Sequence, residues 1–452
     1  MQNKVSFSSY FALGLMLFAL FFGAGNLIFP AQLGQNAGES LWPAAAGFLI
    51  TGVGLPLLGV LAIAYSGTNN LQELSSRVHP AYGIAFTSLL YLSIGPFFAA
   101  PRTGTVAYEV AIAPYVGGNQ QLGLLIFTIL FFAAVLIFSL YPGRIVDNVG
   151  KILAPGIVVL LVILLAAVVI NPMGAIQPPQ EAFQSGPFVG GFLEGYNTMD
   201  ALASLVFAII VINAVKGMGI KNQKTIIGTT VKAGVIAVVL LGVLYTGIAY
   251  LGAASVEVIG IQETGGPVLN AGAEYYFGTF GAIFLAVAMI LACMTTAIGL
   301  VTANAAYFNQ LIPRFKYRPL VIFFTLLTFV IANFGLSNII TFSQPVLMFL
   351  YPLAIVLMIL AFVSPLFKHA RFVYVSTIGV TFLISIFDGL TTLYDSLGIE
   401  DYGWMQPILD FYDQVLPLYS QGLGWLVPAL VVMVITGIIA RFTISDKAGK
   451  EN

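Results

Sequence analysis

Charge is what this sequence has least of. Only 8% of its 452 residues are Asp, Glu, Lys or Arg, against roughly a quarter in ordinary soluble domains. Seventeen basic and eighteen acidic side chains cannot clothe a water-facing globule of this length, so a soluble enzyme of two or three domains is excluded. A net charge of −1 with no Lys/Arg-rich stretch excludes nucleic acid as a partner. The single cysteine, Cys293, can neither close an internal disulfide nor build a zinc cluster. Two histidines, His79 and His369, leave little material for general-base chemistry, and no cofactor is expected. What the chain has in excess is apolar side chains, 59% of the total. It reads as an all-α integral membrane protein whose partner is the lipid bilayer.

A membrane-crossing helix needs about 20 mostly apolar residues. Hydrophobic runs between charged, Pro/Gly or Asn/Asp-rich breaks predict twelve transmembrane helices: 10–36, 41–66, 80–114, 122–141, 150–171, 192–216, 226–252, 278–310, 319–336, 339–364, 371–394 and 422–441. The first run is not read as a signal peptide. Bulky Phe21 and Phe22 precede the only small residues, and the apolar segment resumes through Leu27–Pro30. Basic residues set orientation, because cytoplasmic loops are enriched in Lys and Arg. An internal N-terminus puts Lys4, Arg77, Arg144, Lys151, Lys216, Lys221, Lys224 and Lys232 on one side. The same side takes Arg314, Lys316, Arg318, Lys368, Arg371, Arg441, Lys447 and Lys450. The seventeenth, Arg102, lies within a span. The opposite loops hold no Lys or Arg, yet carry Glu39, Glu181, Glu257, Glu263, Glu274, Asp395, Glu400, Asp401, Asp410 and Asp413. An odd number of spans would scramble this sorting. Both termini are therefore expected in the cytoplasm, with the chain in the cell membrane.

Two spans contain backbone that resists staying helical. In the first, Phe22–Gly23–Ala24–Gly25–Asn26 interrupts the apolar run and Pro30 follows; in the sixth, Glu194–Gly195–Tyr196–Asn197–Thr198–Met199–Asp200 does the same. One Gly-x-Gly alone is a packing notch more often than a site. Two interruptions five helices apart are different. Five is odd, so two five-helix halves would lie in opposite orientations, and paired broken helices at matching positions point to a midplane site in secondary transporters. Free N–H groups near Gly23, Ala24, Gly25 and Asn26 suit a carboxylate. The last carbonyls of the preceding half, near Ala19 to Phe22, suit a small cation. Carbonyls near Leu193 to Tyr196 in the sixth span suit an ammonium. A ligand holding both groups is an α-amino acid.

The stretch Leu17–Phe18–Ala19–Leu20–Phe21–Phe22–Gly23–Ala24–Gly25–Asn26–Leu27–Ile28–Phe29–Pro30 resembles the opening helix of the branched-chain amino acid:cation symporters. So do Gly95–Pro96–Phe97–Phe98–Ala99–Ala100–Pro101–Arg102–Thr103, the sixth-span stretch Glu194–Asp200, Gly265–Gly266–Pro267 and Ser343–Gln344–Pro345. The resemblance runs through nearly the whole chain. It implies uptake of leucine, isoleucine and valine by symport with sodium or protons, on a leucine-transporter-type fold. That fold is a five-plus-five inverted repeat, here 1–175 and 190–365, with broken helices 1 and 6 and two further C-terminal helices in 366–452. It implies substrate-binding residues Gly23, Ala24, Gly25, Asn26, Gly195, Tyr196, Asn197 and Thr198. Carried over from the broader fold superfamily, a sodium site would comprise the carbonyls of Ala19, Phe22 and Ala292 and the hydroxyls of Thr295 and Thr296. Five neutral oxygens suit a monovalent cation. The competing reading is that each Thr simply bonds a carbonyl of its own helix.

Ionisable residues at membrane depth cost about 2.5–3.5 kcal/mol each on insertion scales, so each needs a partner or a task. Arg102, Glu109 and Asp200 are candidates for gating or a proton relay, or for a structural ion pair such as Arg102 with Asp200. Asp388, near the outer end of the eleventh span, is read as interfacial and Cys293 as packing. Oxygen-only ligands favour sodium, whereas a titrating Glu109 or Asp200 would favour protons. An apolar pocket gains only about 1–3 kcal/mol per methylene, so leucine, isoleucine and valine should compete. Rival classes are an amino-acid sensor without net transport and a membrane-embedded enzyme, the latter lacking a cluster of catalytic side chains. The acidic, aromatic segment 395–421 reads as an interfacial cap. Oligomeric state is not written in the sequence.

Overall fold

The computed structural model describes residues 6–23, 25–68, 70–140, 158–220 and 222–448, of which 444–448 by backbone alone. Lys4, Arg144, Lys151, Lys221, Lys450 and the candidate ligand residue Ala24 lie outside the described residues. The described chain is all helical, with no strand. Nine of its helical stretches are long and apolar enough to cross a membrane: Gly25–Ser66, Pro80–Ala111, Gln120–Leu140, Asp200–Gly217, Gln223–Ile259, Gly265–Leu311, Leu336–Phe367, Arg371–Ser396 and Leu426–Thr443. Phe7–Phe21, Val158–Ile170 and Tyr317–Ala332 are shorter apolar helices. Large apolar side chains point outward along them, among them Leu130, Ile170, Val243, Phe280 and Phe323. Water would penalise such a surface and hydrocarbon does not. The protein is a multi-pass membrane protein.

Inside this shell the helices pack through small residues rather than large ones. A Cβ built on Gly34 would lie 1.8 Å from the carbonyl oxygen of Ala249, and one on Gly252 would lie 2.0 Å from that of Ala31. The helix Gly25–Ala37 and the helix Gln223–Ile259 thus touch backbone to backbone, which only glycine permits.

The helices that line the centre are interrupted. Phe7–Phe21 stops and the chain resumes helix at Gly25–Ala37. Pro187–Glu194 tightens into the 3₁₀ turn Gly195–Thr198, and Met199 adopts a left-handed conformation (φ 62°) before Asp200–Gly217 begins. A third interruption, absent from the sequence expectation, divides Pro80–Leu92 from Ala99–Ala111. Gly95 leaves helical geometry there (φ −89°, ψ −118°), and Pro96 follows it. Proline cannot donate to the preceding turn, so the helix widens and Phe98 N–H reaches back five residues to the Ser93 carbonyl, at 3.2 Å. The 47-residue helix Gly265–Leu311 would be about 70 Å long if straight. It turns at Gly278, whose φ of 60° suits glycine. The segment before that turn, read from the sequence as loop, is helical and covers the second half of the first interrupted helix: a Cβ on Gly265 would lie 1.9 Å from the Ile28 carbonyl oxygen.

Candidate functional site

The first interruption changes which carbonyls are bonded. Phe22 N–H still reaches the Phe18 carbonyl at 2.8 Å, but Gly23 N–H donates to Phe21 at 3.0 Å, so Ala19 loses the donor a continuous helix would give it. On the far side, Asn26 N–H donates to the Gly23 carbonyl at 3.2 Å, capping the new helix. The Asn26 side chain is buried and its Nδ2 does two jobs. It donates to the Phe21 carbonyl, holding the two halves together, and to Asp200 Oδ2 at 2.7 Å. That second bond spans 174 positions of sequence and joins the first interruption to the sixth. The two breaks are also adjacent in backbone: a Cβ on Gly25 would lie 3.7 Å from the Thr198 carbonyl oxygen.

The sixth interruption is more heavily tied. Thr198 Oγ1 donates to the Gly195 carbonyl at 2.8 Å, and Met199 N–H donates to the Tyr196 carbonyl at 3.0 Å. Asp200 stands in the first turn of the following helix, where a carboxylate suits the positive end of the dipole. The turn sits against a widened segment of the second span, Ile50–Gly54. Thr51 Oγ1 donates to the Phe192 carbonyl at 2.7 Å, and a Cβ on Gly195 would lie only 1.9 Å from that hydroxyl oxygen. Of the carbonyls expected near Leu193–Tyr196 to receive an ammonium, that of Gly195 already accepts from a side chain and that of Tyr196 from a main-chain N–H.

Arg102 is buried, 3% exposed, one turn beyond the third interruption. It pairs with neither Asp200 nor Glu109. Nη1 donates to the Asn197 carbonyl at 2.7 Å, Nη2 donates to Ser343 Oγ, and the guanidinium lies 5.3 Å from the centre of the Phe29 ring. One cation thus clamps the sixth break, the helix Leu336–Val363 and the helix Gly25–Ala37. Glu194 is within its electrostatic reach. Asp200 instead accepts from Asn26. Glu109 accepts from Thr264 Oγ1 at 2.5 Å and lines a cavity of about 320 Å³ with Ala113, Pro114, Pro267 and Asn270. It lies away from the two breaks, at the end of its helix.

Ser343 was part of a recognised stretch but had no assigned role, and Tyr245 and Tyr351 carried no signal at all. Tyr196 and Tyr351 stack at 4.0 Å between ring centres, 11° from parallel. The hydroxyls of Tyr196, Tyr245 and Tyr351, and Arg102 Nε, are buried without a well-formed hydrogen bond, Tyr245 lying against Asn26 and Tyr351 against Thr198. Poorly paired buried donors cost up to about 3 kcal/mol each, so four of them around the two breaks form a polar lining unusual for a closed core. Among the described residues, no group of three or more His, Cys, Asp or Glu could hold a metal ion.

The hydroxyls of Thr295 and Thr296 both donate to the Ala292 carbonyl, at 2.9 and 3.1 Å. Each bonds within its own helix. Their position is nevertheless informative, since a Cβ on Gly23 would lie 3.9 Å from Thr296 Oγ1. Ala19, Gly23, Ala292 and Thr296 therefore belong to two elements that meet at the first interruption. Cys293 is fully buried among apolar neighbours.

Comparison with known proteins adds three likenesses. The "Branched-chain amino acid permease BrnQ" of Bacillus subtilis (strain 168) is 46% identical over 443 residues, covering 98% of this chain and 99% of that protein. The solved structure of Mhp1, a nucleobase-cation-symport-1 family transporter, in a closed conformation with bromovinylhydantoin bound, is 15% identical. It covers 97% of this chain and 93% of its own at a TM-score of 0.58. MhsT in complex with L-phenylalanine is 14% identical, covers 97% and 100%, and gives a TM-score of 0.55. These two structures share the fold. A family model described as branched-chain amino acid transport protein matches residues 6–443, and the chain belongs to that family of transporters rather than to any class of enzyme.

Proposed function

We propose that the chain is a secondary carrier that imports leucine, isoleucine and valine across the cell membrane by symport with sodium. The observation that carries this reading is the bond between Asn26 and Asp200, which draws two unwound helix centres together around free main-chain groups and poorly paired buried hydroxyls. In this reading twelve spans cross the membrane with both termini cytoplasmic. Residues 1–175 and 190–365 are inverted repeats, and 366–452 adds two helices. Gly23, Ala24, Gly25 and Asn26 face the substrate carboxylate; Gly195, Tyr196, Asn197 and Thr198 surround its other end. Because Arg102 occupies the Asn197 carbonyl, the ammonium relies on the remaining groups of that turn. The name of the Bacillus subtilis relative, a branched-chain amino acid permease, supports the substrate class.

Sodium is favoured by neutral oxygens, since the carbonyl of Ala19 has lost its helical donor, Gly23 N–H, and Gly23 itself faces Thr296. Ala19, Phe22, Ala292, Thr295 and Thr296 are the proposed ligands. An ion must turn the two hydroxyls away from Ala292, exchanging weak intrahelical bonds for coordination. A second reading, proton coupling, draws on the buried carboxylate of Asp200 between the breaks. Leucine uptake into proteoliposomes under imposed gradients tests the choice. An inward sodium gradient should drive accumulation, and Thr295→Val with Thr296→Ala should abolish that drive. Membrane potential supplies roughly 2.3 kcal/mol per charge per 100 mV, so either ion can do the work energetically. Uptake that follows the proton gradient and ignores sodium would overturn the sodium assignment.

A further inference from the structure

The helix Arg371–Ser396 carries a buried polar seam that the carrier reading leaves without a task. Tyr374, Thr377, Thr381 and Ser385 are all fully buried on it, and Asp388 continues the same face one turn further. Tyr374 and Thr381 are satisfied: Arg77 Nη1 donates to the Tyr374 hydroxyl at 3.1 Å, and Thr381 Oγ1 donates to the Thr377 carbonyl at 2.8 Å. Thr377 Oγ1, Ser385 Oγ and Asp388 Oδ2 are not. All three atoms are buried without a hydrogen-bond partner, and Ser385 is the one a single turn from the carboxylate. A helical serine ordinarily bonds the carbonyl three or four residues back, so an unbonded, fully buried Ser385 hydroxyl is an available ligand rather than a filled one.

The surroundings offer no counter-charge. The helix Leu336–Val363, which packs along this face, contains no Asp, Glu, Lys, Arg or His, and Leu426–Ala448 contains no basic residue before Arg441. The ionisable groups in reach from neighbouring elements are the phenols of Tyr196, Tyr412 and Tyr419, none of them a cation. The two helices touch next to the carboxylate, where a Cβ on Gly389 would lie 2.8 Å from the Pro345 carbonyl oxygen. Asp388 itself is partly buried, with its Oδ2 enclosed. The 3₁₀ turn Gly403–Met405 and the helix Gln406–Val415 lie over it: Phe387 meets the rings of Trp404 and Tyr412, and the Tyr412 hydroxyl donates to the Leu383 carbonyl at 3.1 Å.

We propose that Asp388 and Ser385 form a monovalent-cation site, outside the two repeats and beside Tyr196 of the sixth break. A carboxylate at membrane depth with no basic neighbour takes either a proton or an alkali ion, and the adjacent hydroxyl oxygen fits either. Tyr196 is within electrostatic reach of Asp388 and stacks on Tyr351 of the helix Leu336–Val363, which links the site to the broken turn. This assignment does not rest on substrate or coupling ion. It also gives the eleventh helix a function that its position outside the repeats does not.

The test is thermal unfolding of the detergent-purified full chain without substrate. NaCl and KCl are compared with choline chloride at constant ionic strength, and mildly acidic with mildly alkaline pH. Wild type should gain at least about 2 °C from an alkali ion or from the lower pH, as selective binding to the folded state requires. Because sodium at the proposed sodium site would also stabilise the chain, the two sites are separated in the background of Thr295→Val with Thr296→Ala: that variant should still show a gain, and adding Asp388→Asn should remove it. An alkali-specific gain identifies the occupant as a metal cation, and a gain confined to low pH identifies it as a proton. If Asp388→Asn fails to purify, Ser385→Ala carries the test. It leaves the carboxylate in place and should raise the half-saturating cation concentration, or shift the pH midpoint. An unaltered gain on adding either substitution to that background, or no gain in wild type, overturns the proposal, and neither result bears on leucine uptake.

Discussion

The two interruptions that meet at the centre of the protein are built in opposite ways. The first is open. Phe22 and Gly23 leave the helix, Ala19 is left without its usual donor, and one side chain, Asn26, bridges the gap. The sixth is laced shut by Thr51, Thr198 and Arg102, which consume the carbonyls of Phe192, Gly195 and Asn197. An open break can change its bonding when an ion or carboxylate arrives, because main-chain groups there are uncommitted. A laced break holds a fixed shape and presents side chains. The first interruption is thus suited to bind by backbone, and the sixth to define the wall against which the ligand sits.

The comparison is broken most severely at Arg102. Arg102→Met keeps the volume and removes every donor, leaving the Asn197 carbonyl buried without its charged partner and Ser343 Oγ with only its bond to the Ile340 carbonyl. Losing a charged hydrogen bond to a buried carbonyl costs about 1.5–3 kcal/mol, so leucine uptake should fall by at least about tenfold, with a lowered unfolding temperature. Arg102→Lys should not restore it, since one ammonium cannot reproduce a fork that serves two acceptors on different helices. Full uptake in Arg102→Met would mean that the sixth break holds its shape without the clamp. Gly195→Ala strikes the same wall from the other side. Its new methyl would lie 1.9 Å from Thr51 Oγ1 and 3.1 Å from the Gly52 amide nitrogen, so the turn must move off the second span. Overpacking of this kind costs about 1–3 kcal/mol, and uptake should drop several-fold with it.

Next in size is the bond between the breaks. Asn26→Ala removes the donor to Asp200 and to Phe21 together, leaving a buried carboxylate unpaired. The loss should reach roughly 1.5–3 kcal/mol, read as tenfold or more in uptake. Asp200→Asn is the instructive partner. An amide oxygen can still accept from Asn26, so if the carboxylate serves only to join the breaks, uptake should stay within about threefold of wild type. Abolished uptake in Asp200→Asn with intact folding would instead assign the charge itself to ion coupling.

How much of this was legible beforehand differs between the same two regions. The first break announces itself by Gly23, Gly25 and Asn26 in a run of Leu and Phe, because glycine and an amide are conspicuous where lipid tolerates neither. The sixth is announced by Gly195 and Asn197, but its real turning point is Met199, a residue with no turn propensity that stands in a left-handed conformation two residues after the clamped carbonyl. The third interruption was equally visible as Gly95–Pro96 and was read only as a likeness. What marks it as a break is the close approach of Asn304, whose amide would lie 2.1 Å from a Cβ on Gly95, and that contact spans more than two hundred residues. Partners are the least legible feature. Arg102 in a membrane span calls for a carboxylate by charge alone, yet a carbonyl and a hydroxyl satisfy it, because the fold brings those two acceptors together and sends Asp200 to Asn26. The seam at Ser385 and Asp388 was illegible for a related reason: its significance lies in the uncharged helix beside it.

The smallest expected effect is at Gly23, and it separates the two breaks most cleanly. Sequence alone makes Gly23 look as indispensable as Gly195, since both glycines interrupt a span. In the folded chain they differ. A methyl on Gly23 would meet only Thr296, at 3.7 and 3.9 Å, which is ordinary van der Waals contact, and its φ lies outside the left-handed region. Gly23→Ala should therefore fold normally, and the reduced freedom of the unfolded chain should favour the native state by about 0.4–1 kcal/mol. Uptake at saturating leucine should be unchanged. The one permitted cost is a higher sodium requirement, because the methyl faces the hydroxyl proposed to bind the ion. A Gly23→Ala variant that unfolds, or loses uptake at every sodium concentration, would show that the first break is as tightly constrained as the sixth, and the distinction between an open and a laced interruption would fall.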